Sequence, residues 1–207
     1  MKNLLDLNVD LHTHSTASDG VVSPSALVNR ALANNVDVLA LTDHDSVSGL
    51  SEAFEASIGT NLKFINGVEI SVSWSGLCIH LVGLAFNEKN YNLLSALKNI
   101  QDGRFRRAKK IDEALKKEGL PSFLDYALDF AKNPGQIGRA HFARAMVKEK
   151  ICSDMQDVFN RYLVKGKPGF VEHHWPSLKD GMNWIKEAGG VPVIAHPARY
   201  KLGSHLP

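Results

Sequence analysis

His12 and His14 stand two residues apart at the end of a short run, Val9-Asp10-Leu11, that reads as a β-strand. In an extended segment this spacing sends both imidazoles to one face, within reach of a single metal ion. Further along lie Asp19, His44 within Thr42-Asp43-His44-Asp45, Glu69, His80, and His196 within Ala195-His196-Pro197. Mixed imidazole and carboxylate donors suit zinc, manganese or iron better than calcium or magnesium alone. So many donors call for two or three ions, and clustered ions suit phosphoryl or ester hydrolysis, in which they acidify water and clamp the attacking and leaving oxygens. Asp10 and Asp43 adjoin histidine-bearing turns. Each reads either as a carboxylate that holds an imidazole by its other ring nitrogen or as a solvated strand-end acid.

Elements must bring these residues together, and hydrophobic periodicity supplies the candidates. Ser23-Pro24 is a helix start, with Ala26, Leu27, Ala31 and Leu32 as one apolar face. Val36 to Leu41 is a β-branched, nearly continuous apolar run, as expected of a strand covered on both sides. A second helix is predicted to bury Val47, Leu50, Ala53 and Phe54, and strands are predicted at Leu62 to Ile65, Val68 to Trp74 and Leu77 to Phe86. This is the pattern of a parallel-sheet α/β protein or barrel. His12, His14, His44, Glu69 and His196 all fall at or just past predicted strand ends, where such folds build their sites, while His80 falls early in its strand.

From Lys89 the pattern is helical: Asn90 to Glu118, then segments around Phe123 to Ala131, Ala140 to Lys150 and Asp154 to Tyr162. Lys165-Gly166-Lys167-Pro168-Gly169 returns the chain to a helix at Leu178 to Ala188 and a strand at Val191 to Ala195. The division predicted is a barrel of residues 1–88 and 176–207 interrupted by a helical cap insertion at 89–175. The basic run Arg104 to Lys110 reads as a wet helix face, with electrostatic steering of RNA as its functional alternative.

Composition narrows the class. With 207 residues, 44% hydrophobic, 22% charged and a net charge of +2, the chain can bury a core and carries no excess that imposes a nucleic-acid or membrane role. No segment approaches the ~20 apolar residues of a membrane span, and Met1 to Asp6 lacks a signal-peptide run. Cys78 and Cys152 show no C-x-x-C spacing and read as reduced thiols. A cytoplasmic protein without an obligate protein partner is expected.

Asp10-Leu11-His12-Thr13-His14-Ser15-Thr16-Ala17-Ser18-Asp19-Gly20, Leu41-Thr42-Asp43-His44-Asp45, Gly67-Val68-Glu69-Ile70, Ile79-His80-Leu81-Val82-Gly83 and Ala195-His196-Pro197 together resemble the PHP (polymerase and histidinol phosphatase) family. Gly138 to Arg144, Lys165 to Val171 and His196 to Lys201 are similar to its Trp-operon-associated branch of 3',5'-nucleoside bisphosphate phosphatases and 5'-to-3' exoribonucleases. The resemblance implies a distorted (β/α)7 TIM-like barrel with a metal cluster at its rim, holding two or three divalent ions, Mn2+ first and Zn2+ or Fe2+ as alternatives. It implies that His12, His14 and Glu69 hold one ion, that Glu69, His80 and His196 hold a second, and that Asp19 and His44 hold a third. The family pattern continues beyond the His-Pro turn with further strands and a Gly-Ser-Asp-x-His-like motif, so the barrel is expected to be incomplete at its C-terminus.

A site that cuts phosphate esters needs cations aimed at the anion. Arg139, His141, Lys167 and Arg199 are the candidate substrate-binding residues, with Arg144 near them, and the substrate expected is a small phosphorylated nucleotide or short RNA. Phe105, Phe142 and Trp175 read as core aromatics rather than base-stacking ones. Two alternatives stay open: a phosphatase for another monoester such as histidinol phosphate, and a catalytically impaired, metal-stabilised module.

Overall fold

The structure, a computed structural model, describes residues 6–200; the readings at 1–5 and at Lys201 lie outside them. The chain forms two compact units, Met1–Leu97 with Trp175–Pro207, and Lys98–His174. Among the described residues no helix is long and apolar enough to cross a membrane.

The first unit is an α/β fold. Its strands β1 (Val9–Thr13), β2 (Val38–Leu41), β3 (Lys63–Trp74), β4 (Leu77–Leu84) and β5 (Val191–Ile194) lie in that order in one sheet. Helices α1 (Pro24–Ala33), α2 (Leu50–Ser57) and α7 (Leu178–Glu187) belong to the same unit. The start of α1 follows from its sequence: the Ser23 hydroxyl accepts the Ala26 N–H at 3.1 Å, and Pro24 sits in the first turn. Its buried face is Pro24, Val28 and Ala31, displaced from the expected one, and Ala26 is exposed. In α2, Leu50 and Ala53 are buried but Phe54 is 55% exposed. Apolar character alone misjudges the face here, because the helix is only eight residues long and starts at Leu50.

The parallel-sheet expectation holds for half the sheet. β1, β2 and the first part of β3 are parallel, with Val38 to Leu41 registered on Lys63 to Asn66. At Gly67 the strand changes partner, and Gly67 to Trp74 pairs antiparallel with β4, which pairs antiparallel with β5. The segments expected as two strands at 62–65 and 68–74 are therefore one strand of 12 residues. Gly67 permits the change, because a Cβ there would lie 2.6 Å from the Leu41 carbonyl oxygen. Ser75 and Gly76, both at positive φ, close the hairpin as a two-residue turn. Val68, Ile70, Val72, Ile79 and Leu81 fill the buried face beneath.

The second unit is helical. It holds the later part of α3 (Tyr91–Lys117), then α4 (Leu124–Ala131), α5 (Arg139–Lys148), α6 (Met155–Val158) and a π-helical turn at Phe159–Leu163. Ala108, Ile111 and Leu115 of α3 share its core with Phe123, Phe142, Met146, Val158 and Leu163. The turn into α4 is fastened by Asp112, 3% exposed, whose carboxylate accepts the Phe123 N–H at 2.7 Å, the Leu124 N–H at 3.0 Å and the Ser122 hydroxyl at 2.9 Å, and pairs with Lys116 at 2.7 Å. Burial opposes its charge, but the Lys116 ammonium and these donors outweigh burial and hold the carboxyl below its usual range. Asp112→Asn is expected to lower the unit's stability by about 1.5 kcal/mol at pH 7, measured by denaturant unfolding. Because the folded pKa is depressed, the charge stabilises fully above the unfolded value of about 4, and the wild-type advantage disappears as pH falls through the folded value.

Candidate metal centre

Glu69 lies at the middle of β3, three residues past the last position paired with β2, so it stands just beyond the end of the parallel ladder. It is 1% exposed. The loop after β2 runs alongside it: the Asp45 N–H donates to the Glu69 carbonyl at 2.8 Å and the Glu69 N–H to the Asp43 carbonyl at 3.2 Å. Asp45, itself buried, accepts the Ser71 N–H at 2.7 Å. These contacts set His44 beside Glu69. β4 delivers His80 from the register position opposite Ser71, and the Ala195 N–H on the His80 carbonyl at 3.0 Å brings up His196. His196 itself takes φ +33, an unfavourable backbone region for a side-chain-bearing residue, of the kind found where function constrains the chain.

Five imidazoles converge on this carboxylate. His12 Nε2, His14 Nε2 and His44 Nδ1 lie 3.0, 3.1 and 3.3 Å from Oε2, and His80 Nδ1 and His196 Nε2 lie 2.9 and 3.0 Å from Oε1. Their rings form a closed circuit, His12–His14–His44–His80–His196 and back to His12, with centroids 4.6 to 5.7 Å apart. Asp19 closes one side, 3.5 Å from His14 Nδ1 and 3.7 Å from His44 Nε2. Its approach depends on Gly20, where a Cβ would lie 2.5 Å from the His14 carbonyl oxygen.

Hydrogen bonding alone does not account for the cage. A carboxylate oxygen offers two lone pairs, yet three ring nitrogens crowd Oε2. The buried Nδ1 atoms of His14 and His196 have no hydrogen-bond partner among the described residues. Two donors at roughly 2.0–2.1 Å from one ion stand about 3 Å apart, which is the separation these nitrogens keep from the carboxylate. The residues therefore fit divalent metal ions. In three donor sets the ligand atoms lie within 4.8 Å of one another: His12, His14 and Glu69; His14, Asp19 and His44; His44, Glu69 and His80. His14 and His44 thus each belong to two sets, where the family resemblance implied one set for each.

Without metal the charges distribute unevenly. Burial is the largest influence on Glu69 and opposes its charge, but hydrogen bonds from His12, His14 and His80 overcome it and hold the carboxyl well below the usual range. Burial, together with the neighbouring His14 and His80 charges, lowers His44 to about 4. Burial also opposes protonation of His80, but hydrogen bonds to Cys78 and Glu69 prevail and raise it to about 9.

Asp43 fits neither of the two readings open to it from the sequence, whereas Asp10 fits the second, a solvated acid on its strand. Asp43 is 1% exposed and, among the described residues, holds no imidazole: it accepts the Ser15 N–H at 2.7 Å and the Ser15 and Ser18 hydroxyls at 2.7 and 2.6 Å. It fastens the loop that runs from His14 to Asp19. Asp10 is exposed on β1, its backbone in register with Leu39.

Tyr200 carries a role that sequence reasoning did not assign. Its hydroxyl accepts the His80 N–H at 2.8 Å and its ring lies 5.4 Å from that of His196, so one side chain ties two of the imidazole-bearing segments. The signal was an aromatic residue at the end of the turn Pro197–Tyr200 that follows the His-Pro step. Tyr200→Phe is expected to cost about 1 kcal/mol by leaving that N–H unpaired, and to weaken metal binding roughly 10-fold, as loss of a supporting contact does. Thermal unfolding and calorimetric Mn2+ titration check both.

The candidate substrate residues divide between the units. Arg199 is exposed on the turn after His196. In the helical unit, Arg139 donates to the Leu163 carbonyl at 3.1 Å and its guanidinium lies within 6 Å of the Phe159 and Phe170 rings. His141 Nδ1 accepts the Gly138 N–H at 3.0 Å at the start of α5, Lys167 is exposed, and Phe142 is fully buried in the core as expected.

A mixed sheet that gathers five imidazoles and two carboxylates around one point defines an α/β protein with a candidate polynuclear metal centre. The chain belongs to the PHP domain family, whose model matches residues 10–171. It is 45% identical over 199 residues to a 3',5'-nucleoside bisphosphate phosphatase of Chromobacterium violaceum, covering 96% of this chain and 70% of the relative. A 5'-3' exoribonuclease of Haemophilus influenzae is 43% identical, with 93% and 70% covered. A solved structure from Chromobacterium violaceum, described as an amidohydrolase with bound sulfate and no metal, superposes with a TM-score of 0.84 at 45% identity, covering 96% of this chain and 70% of that one.

Proposed function

We propose that this protein is a metal-dependent phosphoesterase that removes phosphate from 3',5'-nucleoside bisphosphates or from the 5' ends of short RNA. The observation that carries the reading is the closed circuit of five imidazoles around the buried carboxylate of Glu69. The activities named for the two relatives support the substrate class. In this reading the sheet belongs to a distorted (β/α)7 barrel, residues 89–175 are a helical insertion in it, and the protein works in the cytoplasm.

His12, His14, Asp19, His44, Glu69, His80 and His196 would hold two or three divalent ions, Mn2+ in first place with Zn2+ or Fe2+ as alternatives. Bound ions supply Lewis acidity toward water and the phosphoryl oxygens. The protein's own part is to fix the donors. Asp43, Ser15 and Ser18 hold the loop that carries His14 and Asp19, while Tyr200 holds His80 and His196. Arg199 offers a planar fork of donors suited to a phosphate, and Arg139, His141 and Lys167 are proposed as further substrate contacts.

The test is release of inorganic phosphate from adenosine 3',5'-bisphosphate and from a 5'-phosphorylated RNA tetramer. Chelator-treated protein is expected to be inactive and to recover with Mn2+. No release from either substrate with any of the three ions contradicts the proposal, and preferential release from histidinol phosphate transfers it to another monoester.

A further inference from the structure

The two units carry opposite charge. Residues 98–174 contain sixteen lysines and arginines against ten aspartates and glutamates, a formal +6, while the rest of the chain carries eight against twelve, a formal −4. The sheet unit that holds the candidate metal centre therefore disfavours a polyanion before any ion binds.

Much of the positive charge is used within the helical unit. The Arg107 Nε donates to the Val171 carbonyl at 2.9 Å, Lys116 pairs with Asp112, and Arg161 lies 3.4 Å from Asp157. The remainder on α3 follows a pattern. Ala108, Ile111 and Leu115 point into the core, and the opposite side of the helix presents Arg106, Lys109, Lys110 and Lys117, all exposed and interrupted only by Glu113. Positions 106, 110, 113 and 117 lie on one line along a helix, with 109 beside it. Arg106, Lys110 and Lys117 make no ion pair with any described residue. Lys109 stands 4.7 Å over the ring of Phe105, which is itself half-buried.

We propose that this side of α3 binds the backbone of single-stranded RNA. From Arg106 to Lys117 the helix rises about 16 Å, far more than one nucleotide needs and enough to follow several phosphates. A linear track of exposed cations holds a nucleic-acid backbone through its phosphates, without sequence preference. The inference rests on the proposed reading only in naming RNA as the strand; the track itself is independent of the metal centre.

The experiment measures binding without turnover. Fluorescence anisotropy follows a labelled 12-nucleotide RNA with a 5'-hydroxyl end, in chelator, between 50 and 200 mM salt. The wild-type protein is expected to bind, with affinity falling steeply as salt rises. The triple variant Arg106→Gln, Lys110→Gln, Lys117→Gln is expected to lose about tenfold or more in affinity at 50 mM and to lower the slope of log Kd against log salt by about 2. Removing three exposed lysines of the sheet unit, Lys63→Gln, Lys89→Gln and Lys186→Gln, changes net charge equally and is expected to leave RNA binding near the wild-type value. Circular dichroism verifies that both variants fold. No RNA binding at 50 mM, equal weakening in both variants, or equal affinity for duplex DNA overturns the proposal. Loss of phosphate release with RNA binding intact would instead sink the catalytic reading and leave the track standing.

Discussion

Glu69→Gln is expected to abolish metal retention and metal-dependent phosphate release, and no other substitution should cost the candidate centre as much. The carboxylate belongs to two of the three donor sets and meets all five imidazoles of the circuit. Glutamine keeps the volume but removes the charge, and it replaces one acceptor oxygen by an NH2 donor that confronts ring nitrogens. Loss of a supporting contact alone costs about 10- to 100-fold in metal affinity, so loss of this donor should exceed 100-fold. Calorimetric Mn2+ titration checks it. Binding within a few-fold of wild type would mean that the imidazoles hold the metal without the carboxylate.

The second large effect is expected at a residue that need not touch metal. Asp43→Ala removes the acceptor of three hydrogen bonds: it leaves the N–H and hydroxyl of Ser15 without that acceptor in a buried place, and the Ser18 hydroxyl with only its longer, 3.3 Å contact to Asp19. Each unpaired buried group costs about 1–3 kcal/mol, and with partial relaxation the total expected is about 3–4 kcal/mol. Burial pushes the Asp43 carboxyl up against the opposing hydrogen bonds of Ser18 and Ser15, so the asparagine variant, which keeps one acceptor and needs no charge, is expected to lose about half as much. Denaturant unfolding of the two variants gives the comparison. The alanine variant should also bind metal more weakly, because the freed loop carries Asp19 and adjoins His14.

The location of the imidazoles was legible because chemistry and position coincide in the sequence. His12 and His14 end an apolar strand, His44 follows another, and His196 begins a turn after a third. Partner choice was less legible. The apolar run of β3 looks the same whether its neighbour is parallel or antiparallel, and only Gly67 and the Ser75-Gly76 turn mark the change. The Asp43 cradle was not legible at all, since its partners stand 25 to 28 residues away and no local pattern links them. Tyr200 lies 120 residues from the N–H it accepts.

Crystals grown with Mn2+, with diffraction recorded at the manganese absorption edge, test the central claim most directly. Anomalous density is predicted beside the Glu69 carboxylate, within about 2–2.5 Å of donors from the His12, His14 and Glu69 set and from the His44, Glu69 and His80 set. A map with no anomalous peak near Glu69, or with manganese bound only elsewhere on the protein, would contradict it.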